Sequence, residues 1–161
     1  MATDGSARAK VVVATEVAPP TAATVYPAPF AARVSGRVKR RLGEAVGLKN
    51  FGVNLTRLAP GSASALLHRH SRQDEFVYVL EGTPTLVTES GEVMLRAGSC
   101  AGFAAGGEAH HLVNRSSSDV VYLEVGDRTA GDQVAYPADD LAAMLGPDGK
   151  WMITHKDGTP Y

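Results

Sequence analysis

Four of the chain's five histidines fall in two short stretches, HRHSRQDE (68–75) and AHHLVN (109–114). The first holds His68 and His70, with Glu75 five positions further on; the second holds His110 and His111. Alternate side chains of a strand share a face, so His68 and His70 point the same way about 6.5–7 Å apart, which leaves room for one ion between two imidazoles. Glu75 stands an odd number of residues from His70, and an unbroken strand would turn it to the opposite face. The intervening Ser71-Arg72-Gln73-Asp74 is turn-prone, and a turn resets the parity. Glu75 then returns on the next strand facing the same cavity as Val77 and Val79, while Phe76, Tyr78 and Leu80 face away. His110, Leu112 and Asn114 likewise share a face, with His111 and Val113 on the other. Three imidazoles and one carboxylate can thus converge on one point. The alternatives are histidines that only hydrogen-bond to one another, and a Glu75 that caps a turn or pairs with Arg69 or Arg72.

The elements that must position these residues are mostly short strands. FGVNLTRL (51–58) alternates and is broken by PGSASA (60–65). EFVYVL (75–80) is aromatic and β-branched, TLVTE (85–89) and EVMLR (92–96) flank a Ser90-Gly91 turn, and HLVN (111–114) and VVYLEV (120–125) follow. Short strands at near-regular spacing indicate a β-sandwich or small barrel, not alternating βαβ units. Residues 1–30, with prolines at 19, 20, 27 and 29, suit an extended N-terminal arm. Pro137–Leu145 reads as a short helix capped near Asp139 and stopped by Gly146-Pro147, and Trp151–Thr154 as an edge strand in the tail. Residues 33–50 read as neither helix nor strand decisively, and their cluster Arg37, Lys39, Arg40, Arg41 reads as a solvated face or, more sharply, as an anion-binding lid over a barrel mouth.

Composition narrows the field. A chain of 161 residues suits one domain with a real core. A formal net charge of −1 sets up no global field for nucleic acid or a membrane surface, and neither is expected as a partner. No apolar run approaches the roughly 20 residues of a membrane span, and the apolar run Val11–Ala14 is too short for a signal-peptide core. The single cysteine, Cys100, fits a reducing cytoplasm and reads as a small buried hydrophobe, since no base or positive charge adjoins it. His155 reads as a partnerless surface residue, Asp74 as solvent-facing, and Tyr78 and Tyr122 as packing residues.

The run Gly61, His68, His70, Glu75, Gly82 resembles the first motif of the cupin superfamily, and the run Gly98, Gly107, His110, Asn114 is similar to the second. The likeness extends over about residues 50–126 and looks closest to the small single-domain cupins, a group that includes sugar-phosphate-isomerase-like and generic members. Two loops depart from the pattern. Six residues separate Gly61 from His68 where the motif has five, and Ala104 or Ala105 stands where the second motif has a proline, in a loop one residue longer. The resemblance implies an all-β, cupin-type jelly-roll barrel or sandwich: a single domain over 1–161 with the arm at 1–30, the core at 50–126 and a C-terminal helix and tail at 127–161. It also implies a metal held by the residues matching His68, His70, Glu75 and His110, with Asn114 structural.

Such a set leaves up to two positions of an octahedral shell open, as a catalytic ion requires. Nitrogen donors with one hard oxygen suit Fe, Mn, Ni, Zn or Cu in the divalent state. The expected function is that of a divalent-metal cupin working on a small molecule by dioxygenase-, isomerase- or lyase-type chemistry. Glu75 is a possible catalytic residue, because in some cupins the matching glutamate doubles as the base. The alternative is a non-catalytic cupin that binds or senses a small ligand, with or without metal. No helix-turn-helix reads ahead of the strands, which disfavours a regulator. A cytoplasmic homodimer is expected, in which a partner covers the arm and exposed strands.

Overall fold

The structure, a computed structural model, describes residues 8–22 and 24–161. Twelve strands are present among them, with one α-turn, α1 (Leu42–Val46), and two 3-10 turns at Ala14–Glu16 and Phe30–Val34. In chain order the strands are β1 (Arg37–Arg41), β2 (Phe51–Leu58), β3 (Arg69–His70), β4 (Glu75–Glu81), β5 (Thr85–Thr88), β6 (Gly91–Met94), β7 (Cys100–Phe103), β8 (His110–Val113), β9 (Val120–Asp127), β10 (Gln133–Ala135), β11 (Ala142–Leu145) and β12 (Trp151–Thr154).

They form two walls. The first is a five-stranded antiparallel sheet in the order β1-β2-β9-β4-β7. The second joins the sheet β12-β11-β10-β3 to the sheet β6-β5-β8. Its seam is the segment 61–68, which runs antiparallel to β8: Gly61 N–H donates to the Asn114 carbonyl at 2.8 Å, Ser64 N–H to Leu112 at 2.8 Å and His110 N–H to His68 at 2.8 Å. This all-β, double-walled arrangement fits a jelly roll, but the sheets do not close into a continuous barrel.

Two apolar clusters fill the space. Leu58, Val77, Leu112, Val120 and Tyr122 pack between the first wall and β8, and Leu66, Val134, Tyr136, Leu141 and Ala143 line the second wall at the β10–β11 end. The alternation that builds them is plain on β4, where Val77 and Val79 are buried and Phe76, Tyr78 and Leu80 are exposed. Gly82 ends that strand with φ +81°, and a Cβ there would stand 2.6 Å from the Asp119 carbonyl oxygen. Backbone shape and space both demand glycine at this point.

Three expectations are corrected. Residues 137–145 form no helix; they enter β11, antiparallel to β12. Leu141 and Ala143 are buried while Met144 is exposed, a two-residue period that a short apolar run hides inside a helical pattern. The Asp139 carboxylate, read as a helix cap, pairs with Arg33 instead. Cys100 is exposed, because β7 is an edge strand and Cys100 stands opposite the outward Tyr78. The expected arm spans residues 1–30. Residues 1–7 and 23 lie outside the described residues; residues 8–13 carry no regular structure, but Tyr26 and Phe30 pack onto the second cluster of this same chain. The undecided stretch 33–50 resolves into β1 and α1, ended by Gly47 in the left-handed conformation at φ +83°. Among the described residues no helix is long and apolar enough to cross a membrane.

Candidate metal centre

The second wall carries the imidazoles and the first wall carries the carboxylate. His68 and His110 are directly opposite across the seam, exchanging both backbone hydrogen bonds. His70 follows on β3, paired with Val134 of β10. The turn through Ser71–Asp74 carries the chain to the opposing sheet, where Glu75 opens β4. The parity reset expected from the sequence therefore occurs, and it sends Glu75 across the molecule to face the histidines.

All three rings aim Nε2 at one atom. Glu75 Oε2 stands 3.0 Å from His110 Nε2, 3.3 Å from His68 Nε2 and 3.5 Å from His70 Nε2. His68, His70 and Glu75 offer atoms that all lie within 4.8 Å of one another, and His110 joins this trio through Glu75. Each Nδ1 meets an oxygen behind it: His68 the Leu66 carbonyl at 2.9 Å, His70 the Asp132 carboxylate at 2.5 Å and His110 the Glu108 carbonyl at 3.3 Å. An acceptor at Nδ1 places the neutral ring's proton there and leaves the lone pair on Nε2. Three lone pairs and a carboxylate around one point demand positive charge at that point, as a proton or as a metal cation. The donor chemistry fits a divalent ion. Burial alone would raise the Glu75 carboxyl, but its bonds to His110 and His68 and the nearby imidazoles hold it well below the usual carboxylate range.

Aromatic rings brace the imidazoles. Phe103 stacks on His110 at a centroid distance of 3.5 Å, Tyr136 lies near-parallel to His68 at 6.1 Å, and Trp151 meets His70 edge-on at 6.0 Å. The site opens into a cavity of about 330 Å³, at the small end of ligand pockets. The far side of that cavity is polar. Strand register places Arg41, Asn54 and Glu124 in one row across β1, β2 and β9, opposite Val77 of β4 and therefore on its inward face. Lys39 and Thr56 fall in the next row with Tyr122. Glu124 accepts from Asn54 Nδ2 at 3.0 Å and Thr56 Oγ1 at 3.2 Å and is ion-paired with Lys39.

Two of these acids escape a reading of the sequence. Asp132 is fully buried and gathers His70 Nδ1, Ser71 Oγ at 3.2 Å, Arg72 N–H at 2.8 Å and Gln73 N–H at 3.3 Å. It thus fixes one ligand ring and the turn that delivers Glu75, yet in sequence it is one more aspartate in a glycine-bearing loop. Glu124 had a signal, since it occupies the inward phase of VVYLEV with Val120 and Tyr122. Of the rest, Asn114 is structural as expected, donating to the Leu58 and Ser118 carbonyls at 2.9 and 2.8 Å. Asp74 is exposed, with one oxygen accepting from Ala105 N–H. Arg69 pairs with Glu89, not Glu75. His111 is half-buried with Nδ1 on the Ala65 carbonyl at 2.9 Å, and burial lowers its pKa. His155 is not partnerless: it bonds Asp140 at 2.8 Å and stacks on Tyr161.

A double-walled β structure with imidazoles on one wall and an acid on the other defines a class, and comparison gives the family. The cupin domain family matches residues 54–126. The chain is 42% identical to a sugar phosphate isomerase of the cupin superfamily from Silicibacter pomeroyi, with a TM-score of 0.80 over 86% of this chain and 88% of that one. A structure from Acidithiobacillus ferrooxidans, provisionally named a sugar phosphate isomerase, is 29% identical, with a TM-score of 0.70 over 85% of this chain and 95% of that one. A polyketide cyclase from Streptomyces resistomycificus shares the fold at 21% identity and a TM-score of 0.61, covering 73% of this chain and 78% of that one. Comparison with curated proteins finds no match. The chain belongs to the cupin superfamily.

Proposed function

We propose that the protein is a divalent-metal-dependent isomerase of a small sugar phosphate, with His68, His70, Glu75 and His110 as the metal ligands. The observation that carries the metal is the convergence of three Nε2 atoms on one Glu75 oxygen, with every Nδ1 committed behind. The reaction class is supported by the isomerase from Silicibacter pomeroyi, 42% identical over most of both chains. A bound divalent ion would supply Lewis-acid polarisation of a substrate carbonyl or hydroxyl oxygen.

Aldose–ketose isomerisation moves one proton between adjacent carbons and one between their oxygens, with no net oxidation. A base must therefore stand beside the metal-held end of the substrate. Glu75 faces three imidazoles. Glu124 is the carboxylate on the neighbouring strand, one inward position along, with Oε2 accepting from Thr56 Oγ1. A carboxylate oxygen has a further lone pair to offer, so Glu124 takes the carbon-bound proton and returns it to the adjacent carbon. Lys39 and Asn54 fix the other oxygen.

The test is elemental analysis of protein from unsupplemented cells, then an interconversion assay over a panel of pentose and hexose phosphates with and without chelator. Stoichiometric metal and chelator-sensitive turnover are expected. Glu124→Gln should retain the metal and lose about 10²-fold or more in kcat. Ligand-dependent stabilisation without turnover of any sugar phosphate would instead make the protein a binding module, and protein purified without metal, with turnover indifferent to chelator, would end the reading.

A further inference from the structure

β1 is an edge strand, and its register reveals an inversion. The positions that face the cavity, in line with the inward Leu58, Thr56 and Asn54 of β2, are Arg37, Lys39 and Arg41. A phase that on β4 carries buried Val77 and Val79 here carries three cations. All three line the same cavity as Glu75 and the histidines, and Arg128 joins them. Against these four basic residues the cavity sets three acidic ones, Glu44, Glu75 and Glu124. A divalent ion at the histidines would leave a clear cationic excess, suited to a multiply charged anion.

β1 lies three strands from β4 in the sheet, a backbone separation of about 14 Å. The Lys39 stem reaches back over that span to Glu124 on β9, the strand beside β4. We propose that Lys39 and Arg41, with Arg37 beside them, form an anion subsite that holds the phosphate of the substrate while its carbonyl end lies at the histidines. This rests on the isomerase reading and adds to it the residues that select a phosphorylated substrate. Lys39 meets Glu124, Arg41 meets Glu44 at 3.4 Å, and Arg37 donates to the Ser64 carbonyl at 2.5 Å. These contacts aim the cations, and Lys39 and Arg41 each carry more than one N–H with which to meet a phosphate.

Edge strands also carry inward charges merely to block pairing with other chains, and binding separates the two roles. Affinity for inorganic phosphate is measured by titration calorimetry on the wild type, Lys39→Gln, Arg41→Gln, Arg40→Gln and His70→Ala. Arg40 is the control: it removes one charge from the same strand, but its guanidinium points away to the Val17 carbonyl. Loss of a charge-assisted bond should weaken phosphate about tenfold or more in Lys39→Gln and Arg41→Gln. Arg40→Gln should bind as the wild type does, and His70→Ala should still bind, because the subsite lies away from the metal ligands. No phosphate binding by the wild type, loss confined to His70→Ala, or equal weakening in Arg40→Gln would each overturn the subsite. Metal content, read on the same samples, reports separately: a metal-free wild type with the expected phosphate pattern breaks the isomerase reading and leaves the anion subsite standing.

Discussion

The two sides of the cavity are built on different principles. On the second wall each histidine is short, nearly buried and held at two points, with Nδ1 on an oxygen and an aromatic ring beside it; side-chain exposures are 7–12%. On the first wall Lys39 and Arg41 are long, 30% and 47% exposed, and held by ion pairs. A metal ligand displaced by an ångström no longer ligates, so the imidazole wall must be rigid. Coulomb attraction falls off slowly with distance, so a charged wall tolerates mobile side chains. The imidazoles, with Glu75 facing them from β4, fix a geometry; the cations of β1 set a potential.

The sharpest way to break this contrast is to empty one side and read the other. His70→Ala removes one of the four proposed ligands, and stoichiometric metal should disappear in elemental analysis while the fold persists in circular dichroism. Lys39→Gln should keep its metal in full. If both substitutions lower metal content alike, the two walls are not separate devices.

A smaller effect is expected one step behind the ligands. Asp132→Asn keeps size and shape but replaces a charged acceptor on His70 Nδ1 with a neutral amide. Losing such a partner costs metal affinity about 10- to 100-fold, measurable by competition with a chromogenic chelator. Affinity unchanged from wild type would mean that the aromatic braces alone orient the ring.

These tests also mark what the sequence made legible. The phase of His68, His70, Glu75 and His110 followed from a two-residue period and one turn, because alternation is a local property of a strand. Cys100 was misread because local neighbours cannot show that β7 is an edge. Asp132 stayed hidden because its meaning comes from a pairing 62 residues away in sequence. The Pro137–Leu145 helix failed because a run of five apolar residues cannot distinguish a period of 2 from one of 3.6; pairing with β12 decided it.

That misreading supplies the third prediction. Leu141 is fully buried beside Tyr136, in a cluster against which Trp151 also packs, so it supports the braces of His68 and His70. Leu141→Ala should cost about 2–5 kcal/mol in chemical denaturation, and Met144→Ala, 46% exposed, less than about 0.5 kcal/mol. Equal costs would contradict the strand alternation of β11. A loosened brace should also weaken metal modestly in Leu141→Ala, tying the rigidity of the imidazole wall to the packing behind it.

The smallest expected effect is at His111, and it is the most exacting test of strand phase. His111 is the chain neighbour of a proposed ligand, yet it takes the opposite phase of β8, opposite Val87 of β5. Its Nδ1 is spent on the Ala65 carbonyl. His111→Ala removes one hydrogen bond and some packing, a cost of about 1 kcal/mol in stability, and should leave metal stoichiometry unchanged. A slip of one residue in the β8 register would exchange the roles of His110 and His111. The substitution that does least on the present register would then empty the site. Metal content of His110→Ala and His111→Ala, measured side by side, therefore reads the register of β8 directly, without any assumption about what the protein turns over.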